Sequence, residues 1–305
     1  MSAKRGLARL VGGLSPILLI VASCSVPTPP DGDYPPLQGA DAGSDADAAA
    51  ADTSGGGPLV ADGTWLMWHE TATCVEVMSV NIEALTETLA VVQLQRDPGG
   101  VIHHTYRNCS IEQTPIVGVA TKIPQAVVDT IPVRDYIAIL DADAVGSAYA
   151  TQVSIELWGV KLADPELDVM PTDPADPRIY DQDNDGKPGV TLDLGNGQCT
   201  MEVIQRGTFQ WKGTIESSTR ISGGGYNLTQ QIVLHASSGF CSSQFHTWNP
   251  PNTARFAIMR ADGKSGAINL DTNQDGVVSC EEVRAYGSAP FEPRKVDNKR
   301  CQGDQ

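Results

Sequence analysis

Between Leu59 and Asp262 the apolar residues fall in short runs rich in β-branched and aromatic side chains, and no long stretch carries a helical period. Such runs, about ten residues apart and separated by turn chemistry, constrain the chain to strands joined as hairpins. Asp97-Pro98-Gly99-Gly100 and Ser222-Gly223-Gly224-Gly225 are both predicted to be turns, and Val145 to Leu162 alternates as a strand does. A helical turn fits only residues 82 to 90 and 123 to 130, and Pro124 and Pro132 favour a connecting loop in the second. The expected fold is therefore all-β: an antiparallel meander over 59–262, closed as a β-barrel or a sandwich. A short calcium loop and helix over 263–305 would form a C-terminal appendage. A division into two domains at the proline-rich stretch from Asp164 to Tyr180 is the alternative.

The N-terminus has a different character. Lys4, Arg5 and Arg9 precede an apolar run from Leu10 to Ala22 that ends in Val21-Ala22-Ser23-Cys24. This resembles a bacterial lipoprotein signal with its lipobox, which implies removal of residues 1–23 and lipidation of Cys24. The run is too short, and too broken by Gly12, Gly13 and Pro16, to span a bilayer. Residues 24–58 are Pro, Gly, Ala, Ser and Asp with scarcely an apolar side chain, a composition that reads as an acidic disordered tether. The resemblance implies a lipid-anchored protein of the cell envelope, at the outer membrane. The formal net charge is −16, and losing residues 1–23 would remove only positive charge. Nucleic acid is excluded as a partner on that ground, and membrane attachment would come from acyl chains.

Seven cysteines are present. With Cys24 acylated, Cys74, Cys109, Cys199, Cys241, Cys280 and Cys301 remain, an even number in an oxidising compartment, and disulfides are expected. Their spacing suggests three local couples, Cys74 with Cys109, Cys199 with Cys241 and Cys280 with Cys301. No Cys/His spacing suits zinc.

Two acidic loops carry the clearest chemistry. Asp271-Thr272-Asn273-Gln274-Asp275-Gly276-Val277-Val278-Ser279-Cys280-Glu281-Glu282 resembles the calcium loop of the EF-hand and dockerin families. The resemblance implies Ca²⁺ held by Asp271, Asn273, Asp275, the Val277 carbonyl, Ser279 and Glu282, with Gly276 making the sharp turn. Residues 261–266 cannot form an entering helix, which suggests a structural clamp and not a switch. Asp181-Gln182-Asp183-Asn184-Asp185-Gly186 resembles thrombospondin type 3 loops. That likeness implies ligation by Asp181, Asp183, Asp185 and the Lys187 carbonyl, with Asp193 or a distant carboxylate closing the site.

Gly63-Thr64-Trp65 is similar to the Gly-x-Trp of lipocalins, which would imply an apolar ligand inside a barrel. Catalytic motifs are absent. His103 and His104 point to opposite faces of a strand, and Asp141 and Asp143 would share one strand face without an evident partner. The expected function is that of a surface-anchored, non-catalytic lipoprotein with calcium-stabilised loops, an envelope structural or interaction module. A lipocalin-like carrier of a hydrophobic ligand is the alternative, and a hydrolase comes third.

Overall fold

The computed structural model describes residues 57–77, 79–238, 241 and 246–302. The expected signal over 1–23 and nearly all of the expected tether, Cys24 included, lie outside the described residues. The strands are β1 (Gly63–Val77), β2 (Val80–Arg96), β3 (Ile102–Gln113), β4 (Thr121–Lys122), β5 (Arg134–Leu140) and β6 (Ala148–Thr151). They continue as β7 (Ser154–Trp158), β8 (Val190–Leu194), β9 (Cys199–Ser217), β10 (Arg220–Ala236), β11 (Thr247–Trp248) and β12 (Ala254–Arg260). Two short helices, α1 (Gln125–Thr130) and α2 (Cys280–Tyr286), accompany them.

All pairings between these strands are antiparallel, and eight strands form a ring in chain order: β1, β2, β3, β5, β6, β9, β10 and β12, with β12 returning to β1. At the Trp65 end closure pairs both edges of the ring strands, whereas, among the described residues, β10 beyond Gly225 pairs with β9 alone and β1 beyond Glu70 meets only the short β11 on that side. The expected meander is thus a barrel and not a sandwich. β9 is long enough to take β6, β7 and β8 in succession along one side. Toward the end of the barrel marked by Val77, β3 outruns β5. There α1 packs Val127 and Val128 against a cluster with Ile111, Trp158 and Leu192 and fills the wall.

β1 shows how sequence sets the layers. Trp65 and Met67 point into the barrel, while Leu66 and Trp68 point outward yet are just as buried. The outer face is covered by residues 261–301, which bring Leu270, Val278, Val283 and Phe291 across β1 and β2, with Phe291 stacked on Trp68 at 5.5 Å. This C-terminal strap is tied by charge as well. Glu70, on the outward face and wholly buried, accepts from Arg255 Nε at 3.0 Å and from the Arg294 backbone and guanidinium. Burial pushes its carboxyl up, but these arginine hydrogen bonds outweigh burial and hold it below the usual range. Glu83, equally buried, accepts from Arg300 Nη1 at 2.6 Å and from the Asp297 amide at 2.6 Å.

Two of the three local cysteine couples are corrected. Cys199 is joined to Cys241 as expected, but Cys74 is joined to Cys301 and Cys109 to Cys280, with Cα separations of 5.6 and 4.8 Å. The reason is geometric: β2 lies between β1 and β3, which puts Cys74 and Cys109 about two strand spacings apart, roughly 10 Å, beyond disulfide reach. Both face outward under the strap, whose cysteines meet them. The meander order is intact.

Four segments differ from the local expectation. Residues 82–90 lie within β2, where pairing to β1 and β3 fixes an extended backbone, and 125–130 is the helix, entered after Pro124 where a missing N–H costs nothing. Ser222–Gly225 is strand interior, not a turn. Gly213 and Gly223 face each other across β9 and β10, and a Cβ on either would collide with the other strand's backbone, so glycine there permits close approach. The stretch from Asp164 to Tyr180 divides no domains. It is an excursion on the outside of the barrel whose Pro165 and Asp168 carbonyls are gripped by Arg206 of β9, each at about 3.0 and 2.9 Å.

Candidate functional site

The barrel interior changes character halfway along. Toward the Trp65 end, inward positions carry Trp65, Met67, Val92, Leu94, Ile102, Tyr136, Tyr149, Trp211 and Phe256, which pack together as one buried cluster. Trp65 donates Nε1–H to the Ala61 carbonyl at 2.8 Å and seals that end. Further along the same strands the inward residues become small: Thr71 and Thr73 on β1, Thr86 and Thr88 on β2. Side chains of that size cannot meet across an eight-stranded barrel. A cavity of about 970 Å³ results. It is bounded by Val75, Val77, Ile111, Leu192, Met201, Phe209 and Val233, and at its rim by Ile116, Val117 and Val119. Val117 is 66% exposed and sits at φ +51° beside Gly118 in the turn closed by the Ile116–Val119 bridge. A β-branched residue is strained in that region of backbone space.

The floor of the cavity is polar and densely connected. Glu156 of β7 is 3.1 Å from Arg134 Nη2, and it accepts from Asn108 Nδ2 at 2.6 Å and Trp158 Nε1 at 2.8 Å. Tyr106 Oη donates to Asn108 Oδ1 at 2.9 Å and lies 3.0 Å from His69 Nε2. The Arg134 guanidinium stacks over the Tyr106 ring, 4.3 Å from its centroid. Burial, reinforced by Arg134, pushes the His69 imidazole down to about 3, so the ring is neutral. The buried Tyr106 phenol is pushed upward by burial. Sequence reasoning singled out none of these residues. The available signal was Glu156, a carboxylate on the same face as Ser154 and Trp158 in an otherwise apolar alternation.

The Asp181–Asp185 loop precedes β8. Among the described residues, Asp181, Asp183 and Asp185 are the one set of acidic, His or Cys side chains whose ligand atoms gather within 4.8 Å of one another. The loop is built by side-chain acceptors, with the Asp185 and Gly186 amides donating to Asp181 at 3.1 and 2.9 Å and Thr191 Oγ1 donating to Asp185 at 2.6 Å. Asp183 Oδ1 is buried with no hydrogen-bond partner, and the Asp183 carboxyl is raised by burial and by the charges of Asp185 and Asp181. An orphaned oxygen amid gathered carboxylates suits a hard cation. The Lys187 ammonium stands 3.9 Å from Asp185 Oδ2, and Asp193 accepts from the Gly197 amide.

The C-terminal loop is arranged differently. Asp271 accepts from the Asp275 and Gly276 amides at 3.1 and 2.9 Å, and Asn273 Nδ2 donates to Asp275 at 3.0 Å. Glu282 is occupied: one oxygen accepts from the Thr272 amide and hydroxyl at 2.7 and 2.9 Å, the other from the Ser279 amide and hydroxyl at 2.9 Å. Those amides hold its carboxyl down at about 2. Ser279 is the N-cap of α2 in a full capping box, and Val277 is exposed at the tip.

The remaining candidates separate. His103 is exposed, whereas His104 is buried, hydrogen-bonded to Tyr149 Oη at 2.8 Å and stacked on Tyr136; burial pushes it down to about 3. Asp141 and Asp143 lie beyond the end of β5 in a loop, not on one strand face, and Asp143 pairs with Arg96. No family model, curated protein or solved structure matches the chain.

Proposed function

We propose that this protein is a binder of small apolar molecules that holds its ligand inside the open half of the barrel. The observation that carries the reading is the cavity of about 970 Å³, at the upper end of the range typical of ligand pockets, roughly 300–1,000 Å³. Its walls are mainly aliphatic and threonine side chains, with Gln113, Gln205 and Gln231 among them and the charged, hydrogen-bonded cluster at the floor, a lining that can take an apolar body and orient it. A purely structural module gains nothing from forgoing the packing of half its core. The carrier reading, together with Gly63-Thr64-Trp65 at the sealed end, therefore stands ahead of the envelope-module reading.

The Asp181–Asp185 loop would serve as a calcium brace immediately ahead of β8, whose Leu192 and Leu194 line the cavity. Lipidation at Cys24 would display the barrel on a tether at the outer membrane. The reading is tested by titrating the purified protein with an uncharged fluorescent naphthylamine: one saturable site with blue-shifted emission is expected. Emission that rises without saturation would count against a formed site.

A further inference from the structure

The hydrogen bonds at the cavity floor define which end group a ligand must carry. The Glu156 carboxylate, paired with Arg134, accepts from Asn108 Nδ2, so Asn108 turns its Oδ1 to Tyr106. Tyr106 then spends its proton on Asn108 and receives one from His69 Nε2. The neutral His69 ring therefore has a bare acceptor at Nδ1, and that atom is buried without a partner. Arg134 directs Nη1 to Ser154 Oγ at 3.1 Å and Nη2 to Glu156, while its Nε–H is likewise buried without a partner. The floor thus has one acceptor and one donor to spare, on two side chains that both line the cavity. Its charges are already matched, Arg134 against Glu156.

Resting on the carrier reading above, we propose that the cavity selects an uncharged apolar molecule ending in a hydroxyl group, seated at His69 and Arg134, over the carboxylate of equal length. A hydroxyl has both a proton for His69 Nδ1 and lone pairs for Arg134 Nε–H, so it suits either unsatisfied atom. A carboxylate has no proton for Nδ1. It would also bring a second anion into a buried site whose one cation is neutralised by Glu156.

The test is displacement of the uncharged fluorescent probe at pH 8 by 1-decanol, decanoate and decane. In the wild type, decanol should bind about tenfold more tightly than decane, the value of pairing one buried polar group, and about 100-fold more tightly than decanoate. His69→Phe should remove most of the advantage over decane. Glu156→Gln leaves Arg134 unbalanced and should shift preference toward decanoate by at least about tenfold. Melting curves establish that each variant is folded, and if one is not, the wild-type ranking and the other variant still decide. Decanoate binding as well as decanol, or decane binding as well as decanol, would overturn the end-group proposal while leaving the carrier reading in place. Failure of all three compounds and of the probe itself would overturn the carrier reading, and the proposal with it.

Discussion

His69 and His104 sit on inward faces of β1 and β3 as neutral rings, each held down to about 3 from an ordinary 6.5, chiefly by burial. Below pH 6.5 the unfolded chain takes up a proton at both positions and the native barrel does not. Their contribution is therefore full above about pH 6.5 and is lost as pH falls toward 3, at up to about 1.4 kcal/mol per pH unit for each ring. Urea denaturation at pH 7 and pH 5 should show a drop for the wild type that is smaller in a His69→Phe/His104→Phe double variant; equal drops would contradict this assignment. Asp183 has the opposite sign, because its carboxyl is raised by burial and by its acidic neighbours. Without a cation its ionisation costs stability as pH rises through the carboxylate range. Asp183→Asn is expected to raise the melting temperature in chelator and to abolish most of the shift caused by millimolar Ca²⁺. A calcium shift that survives in Asp183→Asn but disappears in Asp271→Asn would move the cation to the C-terminal loop.

At the scale of elements, the strap over β1–β3 is where reasoning along the sequence reached least far. Strand identity was readable, because alternation and the Asp97–Gly100 turn are local properties. The partner of Cys74 was not, since it depends on a segment 227 residues later crossing the outside of the barrel. The signal that existed was β1 itself: Leu66, Trp68, Ala72 and Cys74 face one way while Trp65 and Met67 face the other, and apolar residues on both faces require cover on both. The Ser222–Gly225 run misled for a related reason, as glycine serves close approach of strands as well as turns. The floor polar residues gave little warning, because a lone Glu156 or Arg134 on a strand is equally consistent with a solvated face. The strap is expected to be stabilising. Glu83→Ala strips the buried carboxylate that holds Arg300 and the Asp297 amide, and should cost about 2 kcal/mol, reduced from a fully buried pair because Arg300 is partly exposed. Peptide mapping without reductant should recover Cys74–Cys301 and Cys109–Cys280, and recovery of Cys74–Cys109 would contradict the strap.

For the whole molecule, one closed ring of strands has two interiors. The half with Trp65, Trp211 and Phe256 supplies a packed core, and those side chains contribute about 2–3 kcal/mol each through burial. The half with Thr71, Thr73, Thr86 and Thr88 forgoes that packing and leaves room for a ligand. The strap with its two disulfides and the buried Glu70 and Glu83 clusters compensate from outside, so that a hollow barrel can still hold its shape. The most direct test of this division of labour is to fill the hollow half. Thr88 is buried on β2 and lines the cavity opposite His69 of β1, so Thr88→Trp places an indole where the ligand would lie. Titrated with the uncharged naphthylamine, the wild type should show one saturable site, and Thr88→Trp should lose at least about tenfold in affinity while melting no more than a few degrees lower. Equal binding by a folded Thr88→Trp variant would show that the probe sits elsewhere and would contradict the account of a ligand-holding barrel.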